Sequence, residues 1–214
     1  MQKTRDLTVV LTGSSGYLGR RVANRLRANQ FYVIEIDRLN SLNPIDLGND
    51  ADRAKLNLPD NYMFIHLAFP LPGSMNAKKF EAEIGNINVN LKQWFSPQRS
   101  LLISSTAVYP IKDSDKLGAN PWEIYGRLKL ATENLLAECF NELTIFRPGT
   151  LIELDRESSM MRFMSRVKFS RFPVFPGSGK ITHPFTHTQD LENAILLWAL
   201  NQIKGTGVYD ITAN

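Results

Sequence analysis

Tyr125 and Lys129 stand four positions apart in EIYGRLK, a segment of helical character, so their side chains share one face a single turn from each other. A tyrosine titrates near pH ~10 and handles protons poorly at neutrality unless a neighbouring ammonium stabilises its phenolate. Lys129 is placed to do that. Upstream, the apolar run SLLISST ends in Ser104, Ser105 and Thr106, whose hydroxyls can hold a carbonyl or alcohol oxygen beside the phenol. The chemistry on offer is proton movement at such an oxygen. A Tyr and a Lys at this spacing also arise by chance on a helix surface, so the pair gains its weight from the elements that must position it.

The strongest of those elements lies at the start of the chain. LTVVL reads as a strand buried on both faces, TGSSGYLG follows from Thr12 to Gly19, and RRVANRLRANQ continues as a helix. Gly13 can take backbone angles closed to other residues, Gly16 presents no Cβ to an approaching phosphate, and Gly19 lets helix and strand pack closely. Amides at the helix start, around Ser15, Tyr17 and Leu18, would face an anion such as a dinucleotide pyrophosphate. FYVIEID then ends in Asp37, eighteen positions after Gly19, where a carboxylate accepts the hydroxyls of an adenosine ribose. Asp37 points to NAD. Arg38 beside it keeps NADP open as the alternative, because a guanidinium there can meet a 2′-phosphate.

The rest of the chain alternates strand and helix patterns. PIDL, Pro44 to Leu47, reads as a short third strand, with Asp46 and Leu47 either at an adenine pocket or simply in a turn. YMFIHLAF reads as a fourth strand, Met75 to Phe95 as a helix interrupted by Gly85, and SLLISS as a fifth strand. A long helix follows from Pro121, then LTIFR, a helix over Ser158 to Phe169, a last helix near His187 to Gln202, and the strand GVYDIT. The arginines of the first helix read as a solvated face. Regular alternation of this kind predicts an α/β fold, a doubly wound parallel sheet, in one domain spanning 1–214.

In this order the motifs resemble those of the extended short-chain dehydrogenase/reductases, the NAD-dependent epimerase/dehydratase family. TGSSGYLG is similar to that family's TGxxGxxG turn, IDR to its acidic strand end, HLAF at His66–Phe69 to its HLAA segment, NVN at Asn88–Asn90 to its NVxGT region, YGRLK to its YxxxK pair, and RPG at Arg147–Gly149 to a cofactor-side loop. The resemblance implies a Rossmann-type sheet with a small C-terminal substrate lobe. It implies catalysis by Ser105, Tyr125 and Lys129, with Lys129 also holding the nicotinamide ribose. It places Leu67, Ala68, Asn88, Ser104, Arg147 and Pro148 around an NAD or NADP molecule. The implied activity is an oxidoreductase or epimerase acting on a nucleotide sugar or a related carbonyl compound.

Two departures concern the substrate. Pro110 stands where the family has glycine after AVY, and only fifteen residues separate Tyr109 from Tyr125. The substrate portion is expected within about 150–186, where Arg162 and Arg166 either grip a diphosphate or form a basic face, and Met160, Met161 and Met164 line a pocket or fill core. Thr106 is a further substrate candidate. A non-catalytic NAD(P) sensor or interaction protein on the same fold is the alternative reading, favoured by the reduced lobe and disfavoured by intact Ser105, Tyr125 and Lys129.

Composition narrows the remaining classes. The 25 Lys and Arg exceed the 21 Asp and Glu by 4, a modest positive balance that suits a phosphate-bearing small molecule without requiring nucleic acid. Cys139 is the single cysteine, which excludes an internal disulfide and fits packing in a reducing, cytoplasmic setting. Three histidines, His66, His183 and His187, with no cysteine pair give no expected metal site. No apolar stretch approaches a bilayer span, so no membrane partner is expected. The helices from Met75 and Trp122 are candidates for a homodimer face.

Overall fold

The computed structural model describes residues 7–71, 75–109, 121–153 and 184–212. Six strands form one parallel sheet: β1 (Thr8–Thr12), β2 (Tyr32–Ile36), β3 (Met63–His66), β4 (Arg99–Ile103), β5 (Leu143–Pro148) and β8 (Gly207–Ile211), in the order β2-β1-β3-β4-β5-β8. Two more strands, β6 (Thr150–Ile152) and β7 (Phe185–His187), pair with each other in a small separate sheet. Among the described residues the α-helices are α1 (Tyr17–Ala28), α2 (Ala77–Trp94), α3 (Pro121–Cys139) and α4 (Thr188–Ala199).

The strand sequences explain the layering. In β1, Val9 and Leu11 face α1 and α4 while Val10 faces α2 and α3, and all three are fully buried. One core layer joins Val22, Ala23 and Leu26 of α1 to Leu191, Ile195 and Trp198 of α4. The other joins Phe80, Ile84, Ile87 and Leu91 of α2 to Leu136 of α3 and Phe64 of β3. Strands covered on both faces have no polar side to show, hence their unbroken apolar runs. From β1 the chain passes to β2 on one side and to β3 on the other, so a crevice opens at the carboxyl ends of β1 and β3.

Three expectations need correction. Pro44–Leu47 adds no strand to the sheet. Pro44 brings no N–H, and the carboxylates nearby satisfy the backbone locally: Asp52 accepts the Asp46 amide at 2.8 Å and Asp46 accepts the Gly48 amide at 2.8 Å. Gly85 does not interrupt α2, which runs unbroken through it. Arg21 and Arg25 are not simply solvated, because Arg21 pairs with Glu192 of α4 and with Glu153, and Arg25 reaches Asn193. The helix of Ser158–Phe169 lies outside the described residues.

Candidate active site

The turn after β1 is built as its glycines require. Gly13 has φ +74°, and a Cβ on it would lie 2.7 Å from the Ala68 amide nitrogen. A Cβ on Gly19 would lie 2.0 Å from the Gly13 carbonyl oxygen, so α1 can approach the turn only with glycine there. Gly16 caps α1 with no side-chain bond, and no acidic residue occupies the first turn, which leaves the helix amides and dipole to an anion. The Gly13 amide donates to Ile36 at the end of β2, and the Ser15 amide donates to Asp37 Oδ2 at 3.1 Å. Asp37 Oδ1 accepts the Leu39 amide at 2.8 Å, so the carboxylate is fixed at the rim of the turn with lone pairs to spare for hydroxyl donors. Ser14 is buried, and its hydroxyl has no partner among the described residues. A backbone cradle that any Cβ would fill, a bare helix start, an oriented carboxylate and an orphaned hydroxyl together fit a dinucleotide.

Thr12 and His66 join this cradle to the neighbouring strand end. Thr12 Oγ1 accepts the Leu67 and Ala68 amides at 3.3 and 3.4 Å and lies 2.7 Å from His66 Nδ1. Thr12 Oγ1 and His66 Nδ1 thus share one hydrogen bond, and the buried Nε2 has no partner among the described residues. Burial holds the His66 pKa down to about 3, and the nearby Lys129 charge adds to that.

From Ala68 the chain reaches Phe69, whose ring lies 5.3 Å from that of Tyr125 and 4.1 Å from Lys129 Nζ. Lys129 is buried and donates to the Ile103 carbonyl at the end of β4, 2.8 Å away. Desolvation lowers its pKa to about 7, while Glu133 one turn on pulls the other way. Tyr125, flanked by Phe69 and by Trp122 at 5.7 Å, is raised above the ordinary tyrosine value by burial. Lys129 Nζ also lies 5.8 Å from the Tyr125 ring centroid, so the structure brings the two members of the pair together.

Ser104 and Ser105 follow β4 directly. Ser104 is buried with an unpartnered hydroxyl among the described residues. Ser105 Oγ accepts the Ala107 amide at 3.1 Å, capping the short 3₁₀ turn Thr106–Val108 and keeping its own proton available. Gly126, which the sequence reading passed over, sets this turn against α3, since a Cβ there would lie 1.9 Å from the Ala107 carbonyl oxygen. Its position beside Tyr125 was the available signal, because glycine inside a helix costs stability unless something packs against it.

The other named residues divide. Leu67 and Ala68 adjoin the cradle, and Leu47 is buried in the core with its carbonyl accepting from Asn90 at 2.8 Å. Asn90 of α2 thus reaches the loop after β2. Asn88 accepts the Thr132 hydroxyl of α3 at 2.9 Å. Asp46 closes a turn on Gly48. Arg147 forms a two-point ion pair with Glu133 at 3.0 and 2.6 Å and donates to the Tyr109 hydroxyl at 3.0 Å, contacts that raise its pKa further. Pro148 is buried at the end of β5. Thr106 is half-buried on the 3₁₀ turn, and His187 caps α4 by accepting the Gln189 amide. Arg162, Arg166, the methionines at 160, 161 and 164, and His183 lie outside the described residues. Among the described residues no group of three His, Cys, Asp or Glu could hold a metal, and no helix is long and apolar enough to cross a membrane.

Known proteins share this architecture. An uncharacterized protein y4nG of Sinorhizobium fredii is 25% identical over 226 residues, covering 96% of this chain, and the chain spans 56% of that protein's length. Among solved structures, MoeE5 in complex with UDP-glucose and NAD superposes with a TM-score of 0.72 at 22% identity, covering 96% of this chain and 76% of its own. The Thermus thermophilus UDP-glucose 4-epimerase in complex with NAD gives 0.70 at 15% identity, over 97% and 78%. These similarities establish a shared fold. Residues 9–212, from the first strand to the last, match the NAD dependent epimerase/dehydratase family, and the chain belongs to that family.

Proposed function

We propose that this protein binds NAD and interconverts an alcohol and a carbonyl on a nucleotide-sugar-type substrate, as an epimerase, dehydratase or reductase. The observation that carries it is a continuous line of contacts from cradle to proton-transfer pair. Gly13 packs on Ala68, the adjacent Phe69 touches Tyr125 and Lys129, and Gly126 brings the Ser105 turn against the same helix.

When bound, the nicotinamide supplies a hydride acceptor and donor. Gly13, Gly16 and the α1 amides hold the pyrophosphate, and Asp37 holds the adenosine ribose. Ser105 donates a hydrogen bond to the substrate oxygen and keeps its proton. Tyr125, held as a phenol by burial, is the proton donor in the carbonyl-to-alcohol direction. Lys129, whose pKa lies at about 7, takes up and releases a proton near neutrality one turn from that phenol. The reduced, cytoplasmic setting and a homodimer through the outer faces of α2 and α3, where Val89 and Leu130 are exposed, belong to the same proposal.

The test is Tyr125→Phe, read by NADH fluorescence titration and by turnover on UDP-glucose, UDP-glucuronic acid and their keto forms. We expect wild-type turnover, loss of about 10³-fold or more in the variant, and dinucleotide affinity within about threefold. Equal turnover in the variant overturns the catalytic assignment. Tight NADH binding by the wild type with no turnover on any of these substrates turns the reading toward a sensor.

A further inference from the structure

Arg38 and Glu83 carry an inference about which dinucleotide the cradle accepts, and it rests on the dinucleotide-binding reading above. Arg38 follows the ribose-facing Asp37, and its Nη1 lies 3.1 Å from Glu83 Oε1 on α2. The two partners are unequal in freedom: the Arg38 side chain is 53% exposed and that of Glu83 only 19%. The backbone at this corner is held as well, because the Asp37 carbonyl accepts both the Asn40 amide at 3.2 Å and the Ile45 amide at 3.1 Å. Only the arginine side chain has room to choose between α2 and the rim of the cradle.

We propose that Glu83 is a specificity-determining residue: by drawing the Arg38 guanidinium onto α2, it withholds from a ribose 2′-phosphate the cation that follows Asp37 in the chain. Asp37 already opposes that phosphate by charge. With Arg38 engaged on α2, the Asp37 carboxylate meets the 2′ position without its neighbouring guanidinium, and the dinucleotide with an unesterified ribose is favoured. Without Glu83 the guanidinium is released to make a two-point contact with a phosphate. An exposed ion pair of this kind is weak, so the effect is modest and measurable.

NADH and NADPH are titrated by fluorescence into the wild type, Glu83→Gln, Arg38→Ala and the double variant, with thermal unfolding confirming that each is folded. We expect Glu83→Gln to tighten NADPH by about three- to fivefold while NADH stays within about twofold, and the double variant to lose that gain. An unchanged NADPH to NADH ratio in Glu83→Gln, or a gain that survives in the double variant, overturns the proposal while leaving dinucleotide binding intact. Failure of the wild type to bind either dinucleotide overturns the underlying reading and this one together.

Discussion

At the scale of single residues, Ser105 has one observed role and one proposed role. Its oxygen accepts the Ala107 amide and so shapes the 3₁₀ turn, and the proposed chemistry asks its proton to meet a substrate oxygen. A purely structural serine would make its removal a stability effect. A serine that also polarises the reacting oxygen makes it a rate effect, because a donor aimed at developing charge in a buried site contributes far more than a surface hydrogen bond. For Ser105→Ala we expect kcat to fall by about 10²-fold, dinucleotide affinity to stay within about threefold, and the unfolding midpoint to drop by only a few degrees. A lower midpoint with unchanged kcat would leave Ser105 as a cap and nothing more.

At the scale of elements, two helical glycines with opposite surroundings give a paired prediction. Gly126 lies where α3 touches the Ser105 turn, with no room for a Cβ, whereas Gly85 in the middle of α2 has nothing within 4 Å of that position. Gly126→Ala must push α3 away from the turn, costing about 1–3 kcal/mol of overpacking and displacing Tyr125 enough to lose on the order of 10²-fold in rate. Gly85→Ala removes only unfolded-state freedom and should stabilise by about 0.5–1 kcal/mol with unchanged kinetics. Chemical denaturation and steady-state rates on both variants check this; equal behaviour of the two would refute the close approach. The contrast also marks what is legible in the sequence. The strands, the glycine turn and the one-turn spacing of Tyr125 and Lys129 are local patterns, so a single stretch displays each. The Gly126–Ala107 approach, the Arg147–Glu133 pair and the Arg21–Glu192 pair join segments whose meeting depends on the finished sheet. The failed strand at Pro44–Leu47 has a local cause instead, since its apolar residues suit a strand but the carboxylates of Asp46 and Asp52 take amides close by in the chain.

At the scale of the whole molecule, the sheet carries two buried basic groups on one side, His66 from β3 and Lys129 from α3, and stability must follow their protons. Burial lowers His66 from 6.5 to about 3, with Lys129 adding to the shift, and lowers Lys129 from 10.5 to about 7, with Glu133 opposing. Both folded values lie below the unfolded ones, so the unfolded chain binds more protons in each window and stability rises with pH there. The His66 contribution is complete above about 6.5 and is lost as pH falls toward 3; the depressed carboxylate of Asp52 adds to the same acid limb. The Lys129 contribution is complete only above about 10.5, and its cost is fully incurred by pH 7. Tyr125 acts in the opposite sense: its raised pKa makes the native state hold a proton that the unfolded chain sheds above about 10, so stability turns down beyond that point. The unfolding midpoint of the wild type should therefore climb between pH 7 and about 9.5, by an amount reflecting on the order of a few kcal/mol. Lys129→Met should flatten that climb and leave the acid limb in place, while His66→Gln should flatten part of the limb between about 6.5 and 3 and leave the alkaline climb. Differential scanning calorimetry across this range separates the two, and a wild-type midpoint that falls from pH 7 to 9 would mean that Lys129 is charged and solvated in the folded protein, outside the buried pair on which the proposed proton transfer depends.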